Sequence, residues 1–273
     1  MHFVDVIWKN VLQRKLRSFL TIAGVAFAVA AAVALASIAR GYSRSSNEYY
    51  DAHGVDIVVV RAGIADRLTS TLRADFASRL QAVHGIAEVE PSLTEMVSFG
   101  DGDLVGIPLH GFGIKGSRLR QLSIVEGRSL KATDEAGLLL GKNLAASLQA
   151  QPGQALQMEG SEFRVVGVFQ PANAMEGNTA IALLPDVQKL MDRDSQVSEF
   201  HLRLTPDVLG EPAVRSVCRS IEALTDDARQ PLGLKAFPTG QFVNSSTESK
   251  LMAAMALGTS VIAVGLALVG ILN

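Results

Sequence analysis

The 273 residues are 48% hydrophobic and 19% charged, with one cysteine and a formal net charge of −2; an ordinary soluble domain carries about 25% charged residues. A lone Cys218 excludes an intrachain disulfide, and residues 40–250, net −5, offer no basic face to a nucleic acid. The apolar excess lies in two charge-free runs, residues 18–39 and 251–273, each long enough for the roughly 20 helical residues that cross a bilayer.

Taken in chain order, residues 1–17 carry a net charge of +3 and place Val4, Ile7, Trp8, Val11, Leu12 and Leu16 on one helical face. The pattern predicts a helix lying in the cytoplasmic membrane surface, Trp8 at headgroup level and Lys9, Arg14, Lys15 and Arg17 toward anionic lipid. Short basic flanks resist translocation, so the N-terminus is expected inside and the middle of the chain outside. A secretory signal cleaved after Ala34-Leu35-Ala36 is the rival reading. The long basic region and the length of the apolar run oppose it. In the first span, 18–39, Gly24, Ala28, Ala32 and Ala36 recur every fourth residue, a stripe of the kind that lets helices approach closely in lipid. Neither span holds an ionisable residue, which argues against a proton or ion pathway through them.

Residues 40–54 are polar and continue the helix out of the membrane. Then come a strand at 55–60, a helix over 69–83 with Leu72, Phe76, Leu80 and Val83 in register, and a strand at 86–97. Glycines between 100 and 116 predict short strands and turns, with Pro108 as a strand breaker. A short helix is expected over 138–148, a hairpin over 152–170 about Glu159-Gly160, and a strand at 179–184 ended by Pro185. A second strand–helix–strand unit follows at 199–204, 212–224 and 232–237. Residues 238–250 lead to the second span, 251–273, which carries Gly258, Gly265 and Gly270. The expected fold is an α+β extracytoplasmic domain (40–250) between two transmembrane helices. In it, two strand–helix–strand units flank a β-rich insert at about 100–195.

Motifs that could carry chemistry are weak. Gly111, Gly113 and Gly116 satisfy G-x-G-x-x-G, but no clear strand-to-helix context holds a pyrophosphate. The run from Gly137 to Gly141-Lys142-Asn143 is one residue short of a phosphate-binding loop, and Asn143 stands where Ser or Thr would hold magnesium. His2, His53, His84, His110 and His201 lack ligand-pair spacing, and no nucleophile elbow is present. No catalytic, cofactor or metal residue is therefore assigned, and Cys218 reads as a small core residue.

Several stretches together resemble the MacB/FtsX-like family of ABC transporter permeases. Residues 8–21 (WKNVLQRKLRSFLT) are similar to its amphipathic entry into the first span. Residues 114–130 resemble its "G-x7-L-x4-G-R" stretch. Leu140-Gly141-Lys142-Asn143-Leu144-Ala145 and Phe163-Arg164-Val165-Val166-Gly167-Val168-Phe169 are similar to "LG-x-x-LA" and "F-x-VVGV", and residues 269–273 to the end of its second span. The resemblance implies a periplasmic domain of two subdomains, a bacterial inner-membrane location, and a homo- or heterodimer of permeases. It also implies a separate or fused ABC ATPase that binds the ATP, and in some systems a periplasmic adaptor protein. In the family the second span leads to a cytoplasmic coupling helix and two further spans, which would lie beyond Asn273. The expected function is thus the permease subunit of an ABC-type exporter. A membrane-anchored sensor or binding module is the alternative, and a secreted enzyme released after Ala36 a third reading.

Overall fold

The computed structural model describes residues 15–64, 68–100, 104–245, 250, 251, 254, 255, 257–262 and 265. It divides into a folded domain, Ser45–Ser246, and a part drawn from the two ends of the chain. Helix α1 (Lys15–Ala52) is a single helix of 38 residues, about 57 Å long. Its stretch Ile22–Ala52 is, among the described residues, the one helix long and apolar enough to cross a membrane. Phe19, Ile22, Phe27, Val29, Val33 and Ile38 are each at least half exposed along it. The helix runs on through polar residues 40–52, as their composition predicts.

The domain is built on one ten-stranded sheet. Strand β1 (Ile57–Arg61) is a β-branched run with four successive buried residues, the sign of a strand covered on both faces. After the two-residue β2 (Leu72–Arg73) come α2 (Phe76–Gln81) and the 14-residue β3 (Ile86–Phe99). Near the other end of the chain β11 (Glu199–Leu204), α6 (Gly210–Glu222) and β12 (Leu234–Pro238) repeat that unit, and α7 (Thr239–Ser245) follows. The two units interleave in the order β12-β1-β11-β3, with antiparallel neighbours. That is the split βαβ arrangement of ferredoxin-like folds.

The insert does not form a detached body. Strand β4 (Leu104–Phe112) pairs with β3 from Phe99 back to Ser92, and the sheet continues as β4-β9-β6-β8-β5. These strands are β5 (Ser123–Gly127), β6 (Gly137–Gly141), β7 (Ala155–Met158), β8 (Ser161–Gln170) and β9 (Ala180–Leu183). Between them lie α3 (Ser117–Gln121), α4 (Lys142–Leu148), a single 3-10 turn at Glu176–Asn178, and α5 (Leu184–Leu190). Strand β10 (Gln196–Val197) pairs with β2 in a small separate sheet.

Three local expectations change. Pro108 lies inside β4, opposite Met96. It is tolerated because β9 joins only at Leu109–Phe112, leaving an open edge for a residue without an N–H. Residues 138–141, expected to open a helix, lie in the fully buried β6, an interior strand of the sheet; the helix begins at Lys142. A short apolar run between glycines fits either element until its burial is known. Leu72, expected in the helix, lies in β2. The hairpin over 155–170 is as expected, with Glu159 at φ 48° and Gly160 at φ 73°, the double positive φ of a type I′ turn.

The two sheet faces differ. One holds a continuous core running from Ile57, Leu80, Phe200 and Ile221 through Leu93 and Leu109 to Leu140, Leu144 and Val187. The other holds two smaller clusters. One contains Tyr49, Tyr50, Val58, Val60, Phe242 and Val243, and the second centres on Phe112, Leu139, Phe169 and Ile181.

Candidate functional site

Between those two clusters the second face is polar and buried. Cross-strand pairing sets the rows: His201 faces Glu90, Glu199 faces Ser92, and Thr94 faces His110. Successive strand residues point to opposite faces, so Phe200, Leu202 and Leu93 enter the main core while these six face the other way. All six are buried. Residues 45–52, the last turns of α1, cover them, with His53 just beyond. The Tyr49 ring lies 5.2 Å from His53 and 6.2 Å from His110, and that of Tyr50 is 5.7 Å from His201.

A buried ionic group fixes this contact. The Arg118 guanidinium donates to Glu176 Oε1, with only 2% and 1% of the two side chains exposed. It stacks 4.8 Å over the Tyr49 ring and 5.6 Å over that of Phe112. These faces attract the cation where Nε and Nη1 find no hydrogen-bond acceptor among the described residues. His53 Nε2 lies 3.2 Å from the same Glu176 oxygen, and Ala172 N–H donates to Oε2 at 2.6 Å. Burial pushes the Glu176 carboxyl up, but the His53 contact, the Arg118 charge and the Ala172 N–H outweigh it and hold the pKa at about 2. Glu176 is positioned by its own turn: Asn173 Oδ1 accepts the Glu176 N–H, and Asn173 Nδ2 donates to Ser45 O on α1 at 2.8 Å.

Glu90 stands beside this group. Its Oε2 accepts from Arg118 N–H at 3.2 Å and Ser117 Oγ at 3.3 Å, while Oε1 has no partner among the described residues. Burial lifts its carboxyl above the ordinary value, against the nearby His201 and those two donors. His53, Glu90, Ser117, Arg118 and His201 line a cavity of about 10 Å³, close to the volume one water requires.

Two sequence motifs without a ligand find their purpose here. A Cβ on Gly116, the last glycine of the dinucleotide-like pattern, would run into Glu90 Oε1, so the glycine makes room for that carboxyl. A Cβ on Gly141, in the phosphate-loop-like run, would stand 2.5 Å from Gly177 O and 2.7 Å from Glu176 O. Gly141 thus lets the turn bearing Glu176 close on β6. Gly111 packs under α5, where a Cβ would meet Val187 at 3.1 Å.

The residues singled out from the sequence lie elsewhere. Trp8, Lys9, Arg14 and Gly270 fall outside the described residues. Lys15 and Arg17 are in the first turn of α1. Along α1, Ala28 is buried and Ala32 and Ala36 are half-buried, whereas Gly24 is exposed. Gly258 and Gly265 are helical, exposed and have open space around them. The histidines that looked scattered are not all so: His110 and His201 share one sheet face, and His53, just past α1, lies beside the Tyr49 ring that covers it. No group of three His, Cys, Asp or Glu side chains among the described residues could hold a metal ion. A second concavity of about 530 Å³ opens between Ala136, Phe163 and Leu190, with Glu135, Glu162, Asp186 and Lys189 at its walls.

Comparison with known proteins agrees with this architecture. The MacB-like periplasmic core domain matches residues 18–217. A macrolide export ATP-binding/permease protein MacB of Shewanella sp. (strain ANA-3) is 23% identical over 183 residues, which cover 60% of this chain and 28% of that one. An ABC transporter permease of Mycobacterium tuberculosis is 26% identical over 190 residues, 66% and 48% of the two chains. The matches thus span about half or less of the curated relatives' length. Among solved structures, the periplasmic region of MacB from Actinobacillus actinomycetemcomitans is similar with a TM-score of 0.53 at 17% identity, covering 71% of this chain and 96% of that one. The extracellular domain of the ABC-type transporter YknZ from Gram-positive bacteria gives 0.52 at 12% identity, covering 67% and 99%. With a helix able to cross a membrane leading into this fold, the chain belongs to the MacB-like periplasmic core domain family of ABC transporter permeases.

Proposed function

We propose that the chain is the permease subunit, or its N-terminal portion, of an ABC-type exporter in the bacterial inner membrane. It carries motion from an ATPase beneath the membrane to a domain that handles a substrate already outside. The observation that supports this most is α1. It is unbroken from Lys15 to Ala52, and its last turns are held by a buried ion pair rather than by a loose linker. A helix is stiff along its axis, so a shift of residues 45–52 is delivered to the sheet through Arg118 and Glu176. In this reading ATP is bound by the partner, the N-terminus is cytoplasmic, and the chain pairs with a second permease through its spans. Residues 1–17 hold the inner lipid surface, and a periplasmic adaptor is a further partner in some assemblies.

The test is affinity capture, from detergent-extracted membranes, of the full-length product that contains this chain. Co-purification of an ABC ATPase is the expected result, and capture without one overturns the reading. The alternative, an anchored binding module without transport, draws on the concavity beside Phe163. Its volume falls in the range of small-ligand sites. An ATPase-free complex that retains a bound small molecule would favour it.

A further inference from the structure

We propose that the seat of residues 45–53 on the sheet is a proton-sensitive latch, with His53 the group that takes up a proton as the latch opens. The proposal goes beyond the transport reading, since it concerns the domain alone and holds with or without an ATPase.

The groups around His53 offer a doubly protonated ring no hydrogen-bond acceptor in place. The ring is 8% exposed. Its Nε2 lies 3.2 Å from Glu176 Oε1, but neither ring nitrogen makes a hydrogen bond among the described residues. An imidazolium needs an acceptor at both nitrogens. Nδ1 has none among the described residues, and leaving a buried charged donor unpaired is costly. Glu176 offers little more, because its Oε1 already accepts from Arg118 and its Oε2 from Ala172 N–H. A second cation would also stand against the Arg118 guanidinium.

The other charged groups do not relieve this. On β3, Glu90 Oε2 is held by the Ser117 hydroxyl and Arg118 N–H and its unpartnered Oε1 makes no hydrogen bond with His53, and Glu88 is 3.4 Å from Arg203 of β11 and 3.6 Å from Arg120 of α3. On β11, His201 Nε2 faces Glu199 at 3.0 Å. On α1 itself, Tyr49 packs its ring against His53. Burial accordingly holds the His53 pKa below its ordinary 6.5 against the pull of Glu176. The seated state binds fewer protons than the released one. The latch is therefore closed above about pH 6.5 and loosens as pH falls below it, by at most about tenfold in the opening equilibrium per pH unit.

Hydrogen–deuterium exchange of the full chain in detergent, at pH 5.5 to 7.5, tests this. Rates are divided by the intrinsic chemical rate at each pH. A helix end without tertiary packing is marginal, so release appears as lost protection at 45–55 and at 172–178. Protection of those segments is expected to fall on acidification while β3 and β11 stay protected, and H53Q is expected to remove the pH dependence. Protection independent of pH, or a dependence unchanged in H53Q, overturns the proposal. Should H53Q not fold, exchange at the histidine C2 carbon of the wild-type protein decides. A His53 titration midpoint below 6.5 sustains the latch, and one at or above 6.5 overturns it.

Discussion

Arg118 and Glu176, 58 residues apart in sequence, meet as an ion pair with 2% and 1% of their side chains exposed, directly beneath the Tyr49 ring. Removing one member of a buried pair strands the other's charge, which costs about 3–5 kcal/mol. R118A is therefore expected to lower the Tm of the detergent-solubilised chain by roughly 6–20 °C, at about 2–4 °C per kcal/mol for a domain this size. The double variant R118M/E176M, which removes both charges, should recover most of the loss; differential scanning fluorimetry reads both.

Glu176 and Glu90 should give opposite pH signatures. The Glu176 pKa is about 2 in the folded domain, below the ordinary 4.5. Its stabilisation is complete above pH 4.5 and is lost as pH falls from there toward 2. Glu90 is raised in the fold, so the folded state binds the extra proton and stability declines as pH rises through 4.5 to the raised value. E90Q, which keeps the shape and drops the charge, should melt above the wild type at pH 7 and match it below pH 4.5. E176Q should melt below the wild type at pH 7, and that gap should shrink on acidification.

Gly141 has no room for a side chain beside the 176–178 turn. G141A is expected to destabilise by about 1–3 kcal/mol through forced displacement of backbone, with lost amide protection at 172–178 as the local sign. Gly113, which has no atom within 4 Å of its missing Cβ, supplies the control; G113A should change stability by no more than about 0.5 kcal/mol.

The small-residue stripe of α1 carries a prediction about packing. Ala28, Ala32 and Ala36 lie on its covered side, and Val33 is 60% exposed. A stripe covered within one chain packs inside the protomer, so A32L should lower the Tm of the detergent-solubilised chain, while V33L should leave it unchanged.

The strand–helix–strand units were legible because Ile57–Arg61 is a β-branched run, while Phe76 and Leu80, and Val214, Val217, Cys218 and Ile221, keep helical spacing. Residues 137–141 were not, since a run of three leucines has no period until its neighbours are known. Glu90, Ser92 and Thr94 escaped for a different reason. Their alternation with Val89 and Leu93 reads as a water-facing strand edge, and only the return of α1 across the sheet buries them. His53, Arg118 and Glu176 come from the residue after a helix end, a five-residue helix and a 3-10 turn, and no spacing rule joins such segments. A usable signal was present in the two rejected glycine motifs. Gly116 and Gly141 lack side chains because Glu90 and the Glu176 turn occupy the space, so a glycine pattern without a ligand can mark a close approach by the protein itself.

The length of β3 bears on how the domain answers a load. Its first half, through Ser92, pairs with β11 of the ferredoxin-like unit, and its second half, from Ser92 to Phe99, carries β4 and β7 of the insert. No linker separates the two lobes along that edge; a single beam of 14 residues crosses both. A tug on Tyr49 and His53 arrives near the middle of that beam, beside Glu90 and Thr94. Backbone hydrogen bonds on either side then oppose bending, and the domain should tilt as a plate instead of opening like a hinge.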